Sequence, residues 1–142
     1  MKKTVILSLR GCQTYLEQEP VVIELVTEGT LSYRDGGWDI QYEETELTGL
    51  AGVTTQFRVE PERITLTRSG KLSSQMVFQL GVRHDSLYQM EFGALMITVC
   101  ASRIMAQLDE NGGFIDLVYN IEIEQSAAGE VDYHLEIRPK MD

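Results

Sequence analysis

The chain has 142 residues, with 12 Lys and Arg against 22 Asp and Glu and a formal charge of −10 at pH 7. That length fits a single domain, residues 1–142, large enough to bury roughly two thirds of its unfolded surface without disulfides. The acidic balance excludes a generic nucleic-acid binder, whose affinity comes from neutralising phosphates, and disfavours anionic membrane surfaces. Spread along the chain rather than gathered in a tail, it serves solubility.

The start, Met1-Lys2-Lys3-Thr4, is basic, but Ser8 and Arg10 interrupt the apolar run that follows. No stretch approaches the roughly 20 apolar residues of a spanning helix, so a soluble protein is expected. From there on the apolar residues recur with a period of two. Trp38, Ile40 and Tyr42 alternate with Asp39, Gln41 and Glu43; Val53, Thr55, Phe57 and Val59 with Thr54, Gln56, Arg58 and Glu60; Val131, Tyr133, Leu135 and Ile137 with Asp132, His134, Glu136 and Arg138. The alternation predicts strands near 3–11, 21–34, 37–46, 52–60, 62–69, 73–82, 86–92, 94–107, 113–125 and 130–138. Short connectors separate them: Arg34-Asp35-Gly36-Gly37, Glu60-Pro61-Glu62, Ser69-Gly70-Lys71 and Asn111-Gly112-Gly113. Segment 94–107 has two readings. Its Ser102–Leu108 end could turn helical, whereas Ile97, Thr98 and Val99 favour a strand buried on both sides. Short-looped antiparallel strands in one domain must stack or close to hide their edges. The fold class is therefore all-β, an antiparallel meander barrel of about eight to ten strands.

Threading the hairpins places candidate site residues. The turn at Arg34–Gly37 pairs position 38 with 33, 40 with 31, 42 with 29 and 44 with 27, so Gly29 makes room for Tyr42. The next turns bring Glu46 near Val53 and Val53 near Arg68, so that Glu46 and Arg68 share a level and a face. Ser74 lies beside Arg68, while Leu66 meets Met76 and Ile64 meets Phe78 deeper in. Two readings of Glu44, Glu46 and Arg68 stand: an ion pair closing the barrel mouth, or a ligand-recognition group. A second polar pair is Arg103 opposite Tyr119, on the parity of Leu95, Ile97, Val99, Ile121 and Ile123, where it could hold a carboxylate. A register slip of one residue would turn Arg103 to solvent.

Catalytic constellations are weak. Glu44 and Glu46, about 7 Å apart on a strand, could be imagined as acid and base, yet acidic strand ends are commonly structural. His84 and His134 are far apart, and Asp132, His134 and Glu136 form a solvated strand face. Cys12 and Cys100 lack metal-ligand spacing and read as reduced thiols of a cytoplasmic protein. No catalytic residue, metal or cofactor is expected.

Several runs carry a resemblance: Thr27-Glu28-Gly29, Tyr42-Glu43-Glu44-Thr45-Glu46-Leu47-Thr48-Gly49, Gly52-Val53-Thr54-Thr55, Arg68-Ser69-Gly70, Met76-Val77-Phe78 with Gly81, and Val118-Tyr119. In order and spacing, through nearly the whole chain, they resemble the YwiB-like family of small bacterial proteins. The resemblance implies a calycin or lipocalin-like β-barrel in a bacterial cytoplasm and no established biochemical activity. Where family members tend to carry Tyr-x-Thr-Pro-Tyr-Gly, this chain has Tyr88-Gln89-Met90-Glu91-Phe92-Gly93, which keeps the turn glycine only.

The leading functional expectation is a barrel that binds a small apolar or amphiphilic molecule at a polar end built from Tyr42, Glu44, Glu46 and Arg68, assisted by Arg103 and Tyr119. The rival is a non-catalytic interaction module whose interior is filled by Trp38, Phe57, Met76, Phe78, Tyr88 and Phe114. An enzyme comes third.

Overall fold

A computed structural model describes residues 2–15, 18–45 and 50–140. The period-two alternation folds as ten antiparallel strands: β1 (Lys2–Tyr15), β2 (Val21–Arg34), β3 (Gly37–Glu43), β4 (Val53–Glu60), β5 (Arg63–Gly70), β6 (Ser74–Phe78), β7 (Arg83–Met90), β8 (Gly93–Asp109), β9 (Gly112–Ile123) and β10 (Ser126–Pro139). Each strand read from the sequence is present, and the stretch after Ser102 stays extended within β8. The β2–β3 turn is tight because Asp35 and Gly36 both take positive φ, 49° and 78°, as a two-residue hairpin with the right twist requires.

The strands form one sheet in the order β6-β5-β4-β3-β2-β1-β10-β9-β8-β7. Neighbours in space are neighbours in sequence, except where the chain's two end strands meet. β1 and β10 pair from Val5↔Pro139 to Tyr15↔Gly129, which curls the sheet into a nearly closed barrel. The seam lies between β6 and β7, joined by the isolated bridges Gln79↔Val82 and Ser73↔Gln89, with Leu80 bridging to Ala101 of β8.

Inward residues form rows of cross-strand neighbours. Leu31, Ile40, Phe57, Leu66 and Met76 make one apolar row across β2 to β6. Tyr33, Trp38, Val59, Ile64 and Phe78 make the next, nearer the end that carries the chain termini. Phe57, Phe78, Leu7, Leu31, Ile40, Ile64, Ile115, Leu117 and Leu135 are essentially inaccessible, so this half of the interior is solid. On the outer face Asp39 is also buried. It accepts from Arg34 Nε at 2.7 Å, Arg58 Nη1 at 3.1 Å and Gln56 Nε2 at 3.1 Å, which satisfies its charge.

Three register expectations need correction. Glu60 pairs with Arg63 across a two-residue turn, so Arg68 faces Thr55, and Val53 faces Gly70. The shift is by two residues, which leaves Arg68 pointing inward. Arg103 does not oppose Tyr119. Ala101 does, and an extra residue at Ser102 forms a β-bulge after which Arg103 faces Val118 from the exposed outer side. Phe114 is likewise outward, stacked on His134 with ring centroids 6.2 Å apart, while its neighbour Ile115 enters the core.

The expected pairing of Gly29 with Tyr42 is present. A Cβ built on Gly29 would stand 2.5 Å from the Gln41 carbonyl oxygen and 2.7 Å from Leu7 Cδ1. A backbone oxygen cannot rotate away, so Gly29→Val should destabilise the fold by about 1–3 kcal/mol, read as a lower urea midpoint. Equal midpoints would show that the barrel wall yields there.

Candidate functional site

One row breaks the apolar pattern. Continuing from Val5 and Gly29, the inward neighbours are Tyr42, Thr55, Arg68 and Ser74, on β3, β4, β5 and β6. The row adds the two hydroxyls of Thr55 and Ser74 and a guanidinium to a barrel otherwise lined by aliphatic and aromatic carbon. Glu44, just past β3 and held by its N–H to the Val53 carbonyl at 2.8 Å, points into the same region.

Beyond this row the interior opens into a cavity of about 430 Å³ at the end formed by the β7–β8 and β9–β10 turns. The volume lies within the range of roughly 300–1,000 Å³ typical of small-molecule sites. Leu66, Met76, Leu95, Ile97, Ile121 and Val131 supply its apolar wall, and Glu44, Arg68 and Gln13 its charged and amide groups. Five of the chain's six tyrosines, Tyr15, Tyr42, Tyr88, Tyr119 and Tyr133, line it as well. Gly11 belongs to the lining too, and a Cβ there would stand at an ordinary contact distance of 3.7 Å from the facing Tyr133 ring.

Of the expected site residues, Tyr42, Glu44, Arg68 and Tyr119 converge on this cavity. Arg103 does not, because the bulge at Ser102 puts it outside, where its Nη2 lies 3.4 Å from Met105 Sδ. Glu46 lies outside the described residues. Reasoning from hairpins missed Tyr133, Gly11 and Gln13. Their positions depend on the pairing of β1 with β10, whose register no connecting turn sets. The alternation at Val131, Tyr133 and Leu135 was the available signal.

The polar groups are unevenly satisfied. Thr55 Oγ1 donates to Glu44 Oε2 at 2.7 Å. Arg68 Nε is 4.0 Å from the same oxygen, longer than a charge-assisted hydrogen bond of about 2.7–2.9 Å. Their side chains are only 17% and 2% exposed, so water screens this pair little. Arg68 Nε and Ser74 Oγ, on facing ladder positions, are buried with no hydrogen-bond partner among the described residues. Leaving such a donor empty costs about 1–3 kcal/mol or more.

Other hollows and clusters contrast with this one. A larger trough of about 810 Å³ at the opposite end runs between the β4–β5 turn and the far end of β8; it is open to solvent, with Glu60, Glu62, Arg63, Gln79 and Gln107 among its polar members. His134 sits on the outer face with Nδ1 2.5 Å from Asp116 and Nε2 3.2 Å from Glu136. The hydrogen bond to Asp116 raises its pKa against a small burial penalty. Among the described residues no three His, Cys, Asp or Glu cluster to hold a metal ion, and Cys12 and Cys100 are free thiols.

Burial protects the phenols of the cavity. Tyr42 is pushed up to about 12 by burial and then by the Glu44 charge, and its hydroxyl shares a hydrogen bond of 3.3 Å with Tyr133. Tyr119 is pushed up to about 12 by burial, and Tyr133 goes well above 10 for the same reason. The Arg68 charge acts on all three in the opposite sense, which places it among them. At neutral pH all three are intact O–H groups able to donate. Because the folded values lie above 10, the unfolded chain ionises first. The stability these groups contribute is complete below pH 10 and is lost as pH rises towards about 12. A phenolate absorbance titration should show three tyrosines lagging and ionising together with unfolding. Smooth titration of all six in a still-folded protein would contradict their burial.

The fold can be set beside known proteins. A family model described as Domain of unknown function (DUF1934) matches residues 7–137. The uncharacterized beta-barrel protein YwiB of Bacillus subtilis is 28% identical over 102 residues, 72% of this chain and 70% of that protein. The crystal structure of the ywiB protein from Bacillus subtilis superposes with a TM-score of 0.82 at 22% identity, covering 95% of this chain and 92% of that one, which is a likeness of fold. With a match that runs from Leu7 in β1 to Ile137 in β10, this chain belongs to the DUF1934 family of YwiB-like β-barrel proteins, whose function is unknown.

Proposed function

We propose that this protein binds a small apolar or amphiphilic molecule inside the open half of its barrel, as the lipocalin-like reading of the sequence implies. The observation that carries this is the cavity of about 430 Å³, lined by apolar and polar side chains together, beside a densely packed middle of the barrel. A barrel selected only for stability would fill both halves, since empty apolar volume costs dispersion energy and unpaired buried donors cost more. Tyr42, Glu44, Arg68 and Tyr119 are the polar contacts of this reading. Free Cys12 and Cys100 fit a reducing, cytoplasmic setting, and the acidic surface fits a role away from nucleic acids and anionic membranes. Among the described residues no helix is long and apolar enough to cross a membrane.

A second reading, an interaction module, has one observation of its own. The β7–β8 hairpin exposes Leu87, Met90 and Phe92 together, with Phe92 97% exposed. Such a tip could engage another protein whether or not the cavity is occupied.

A neutral fluorescent probe, N-phenylnaphthylamine, separates the readings. Its emission should rise on mixing with the protein, and Gly11→Leu, which places a branched side chain into the cavity at an ordinary contact distance, should remove most of that rise without unfolding the barrel. No rise with the unmodified protein, or an equal rise with both, would reject the cavity as the site and shift the weight to the β7–β8 hairpin.

A further inference from the structure

The two orphaned polar atoms narrow the chemistry of the occupant. Arg68 Nε–H is a donor attached to a permanent positive charge, and Ser74 Oγ sits across the ladder from it on the same inward face. The cavity also holds three phenols, Tyr42, Tyr119 and Tyr133, of which Tyr42 and Tyr133 share one hydrogen bond. Among the described residues, Glu44 carries the one carboxylate within 4.0 Å of Arg68. Its Oε2 stands 4.0 Å from Arg68 Nε and already accepts from Thr55. The wall of β8 and β9 offers carbon from Ile97 and Ile121 beside the Tyr119 phenol, and Met76 adds carbon on β6 next to Ser74.

We infer that the occupant is a monocarboxylate with a compact apolar body, its carboxylate accepting from Arg68 Nε and its body lying against Ile97, Ile121 and Met76. This assignment rests on the cavity being a binding site. An ionised carboxylate matches the guanidinium in charge and presents two acceptor oxygens, so it can occupy the Nε–H and still reach a second donor. A neutral alcohol satisfies one donor and leaves the charge unmatched. An amine adds a like charge next to Arg68 and is excluded. A group with two negative charges fits less well, because Glu44 already brings one negative charge to within 4.0 Å of the arginine. The head therefore sits on the side of the guanidinium away from Glu44, towards Ser74 and Tyr119.

An aliphatic and an aromatic body fit this description equally, and two pairs of probes distinguish them: decanoate against decanol, and naphthoate against naphthalenemethanol. Each is titrated into the intact protein and followed by displacement of N-phenylnaphthylamine, with calorimetry as a second readout. At least one acid should bind about tenfold or more tightly than its alcohol, the difference expected of a charge-assisted over a neutral hydrogen bond. Arg68→Met should abolish that preference by lowering the acid's affinity more than the alcohol's. Arg68→Lys, which keeps the charge but loses the Nε geometry, serves if Arg68→Met does not fold, and should lower the preference without reversing it. Alcohols that bind as well as their acids, or an acid preference that survives Arg68→Met, would overturn the carboxylate assignment while the cavity reading stands. If all four probes and N-phenylnaphthylamine fail to bind, both readings fall together.

Discussion

Everything in this barrel depends on the pairing of its first strand with its last. β1 and β10 form a continuous antiparallel ladder from Val5↔Pro139 to Tyr15↔Gly129. Without it the sheet would end in two long exposed edges, which invite pairing between molecules. Closure also defines an inside. Once the circumference is fixed by ten strands, the only variable left in each row is side-chain volume. Where the inward residues are Phe57, Phe78, Leu31, Ile40 and Ile64 the rows meet in the middle. Where they are Gly11, Gln13, Thr55 and Ser74, they do not fill it alone.

Closure explains why the polar row is tolerated. A guanidinium inside a barrel costs several kcal/mol of desolvation unless its partners are good. Here Glu44 supplies charge at 4.0 Å, and the tyrosines surround it. The compensation is incomplete, because Arg68 Nε and Ser74 Oγ stay empty in a chain that satisfies Asp39 with three donors three ladder positions away on the other face. The same sequence thus solves a buried-charge problem fully on the outside of β3 and partly on the inside of β5. Local rules broken without compensation are more common at sites that do work than at sites that only hold a fold together. The seam between β6 and β7 borders the polar row at Ser74 and carries the fewest ladder bonds of the barrel.

Most strands were legible in the sequence because they are bounded by turn residues and alternate cleanly, whereas the segment that forms β8 left a helical alternative. The Arg34–Gly37 turn fixed a whole register from its two positive-φ positions, so Gly29 and Tyr42 could be paired on paper. Registers failed where a count depends on geometry that letters do not show. Pro61 and Glu62 both sit in the β4–β5 turn, which moved Arg68 by two positions and spared its orientation. The bulge at Ser102 moved β8 by one and reversed Arg103. Its trace was visible: the apolar parity passes from Ile97 and Val99 to Ile104 and Leu108, a change that resembled the start of a helix. Whether the interior is open could not be read at all. It depends on which residues from ten strands share a level, and the pairing of β1 with β10 that sets half of those levels is specified by no turn.

The central claim is that one half of the interior is packed and the other is open to an apolar guest. Xenon tests it most directly, because the gas has no chemistry beyond dispersion and enters only apolar voids. Methyl resonances of Leu66, Met76, Ile97, Ile121 and Ile123 should shift under xenon pressure, while those of Leu31, Ile40, Ile115 and Leu135 should stay in place. Shifts absent from the first group, or equal in both, would contradict the division of this barrel into a filled and an open half.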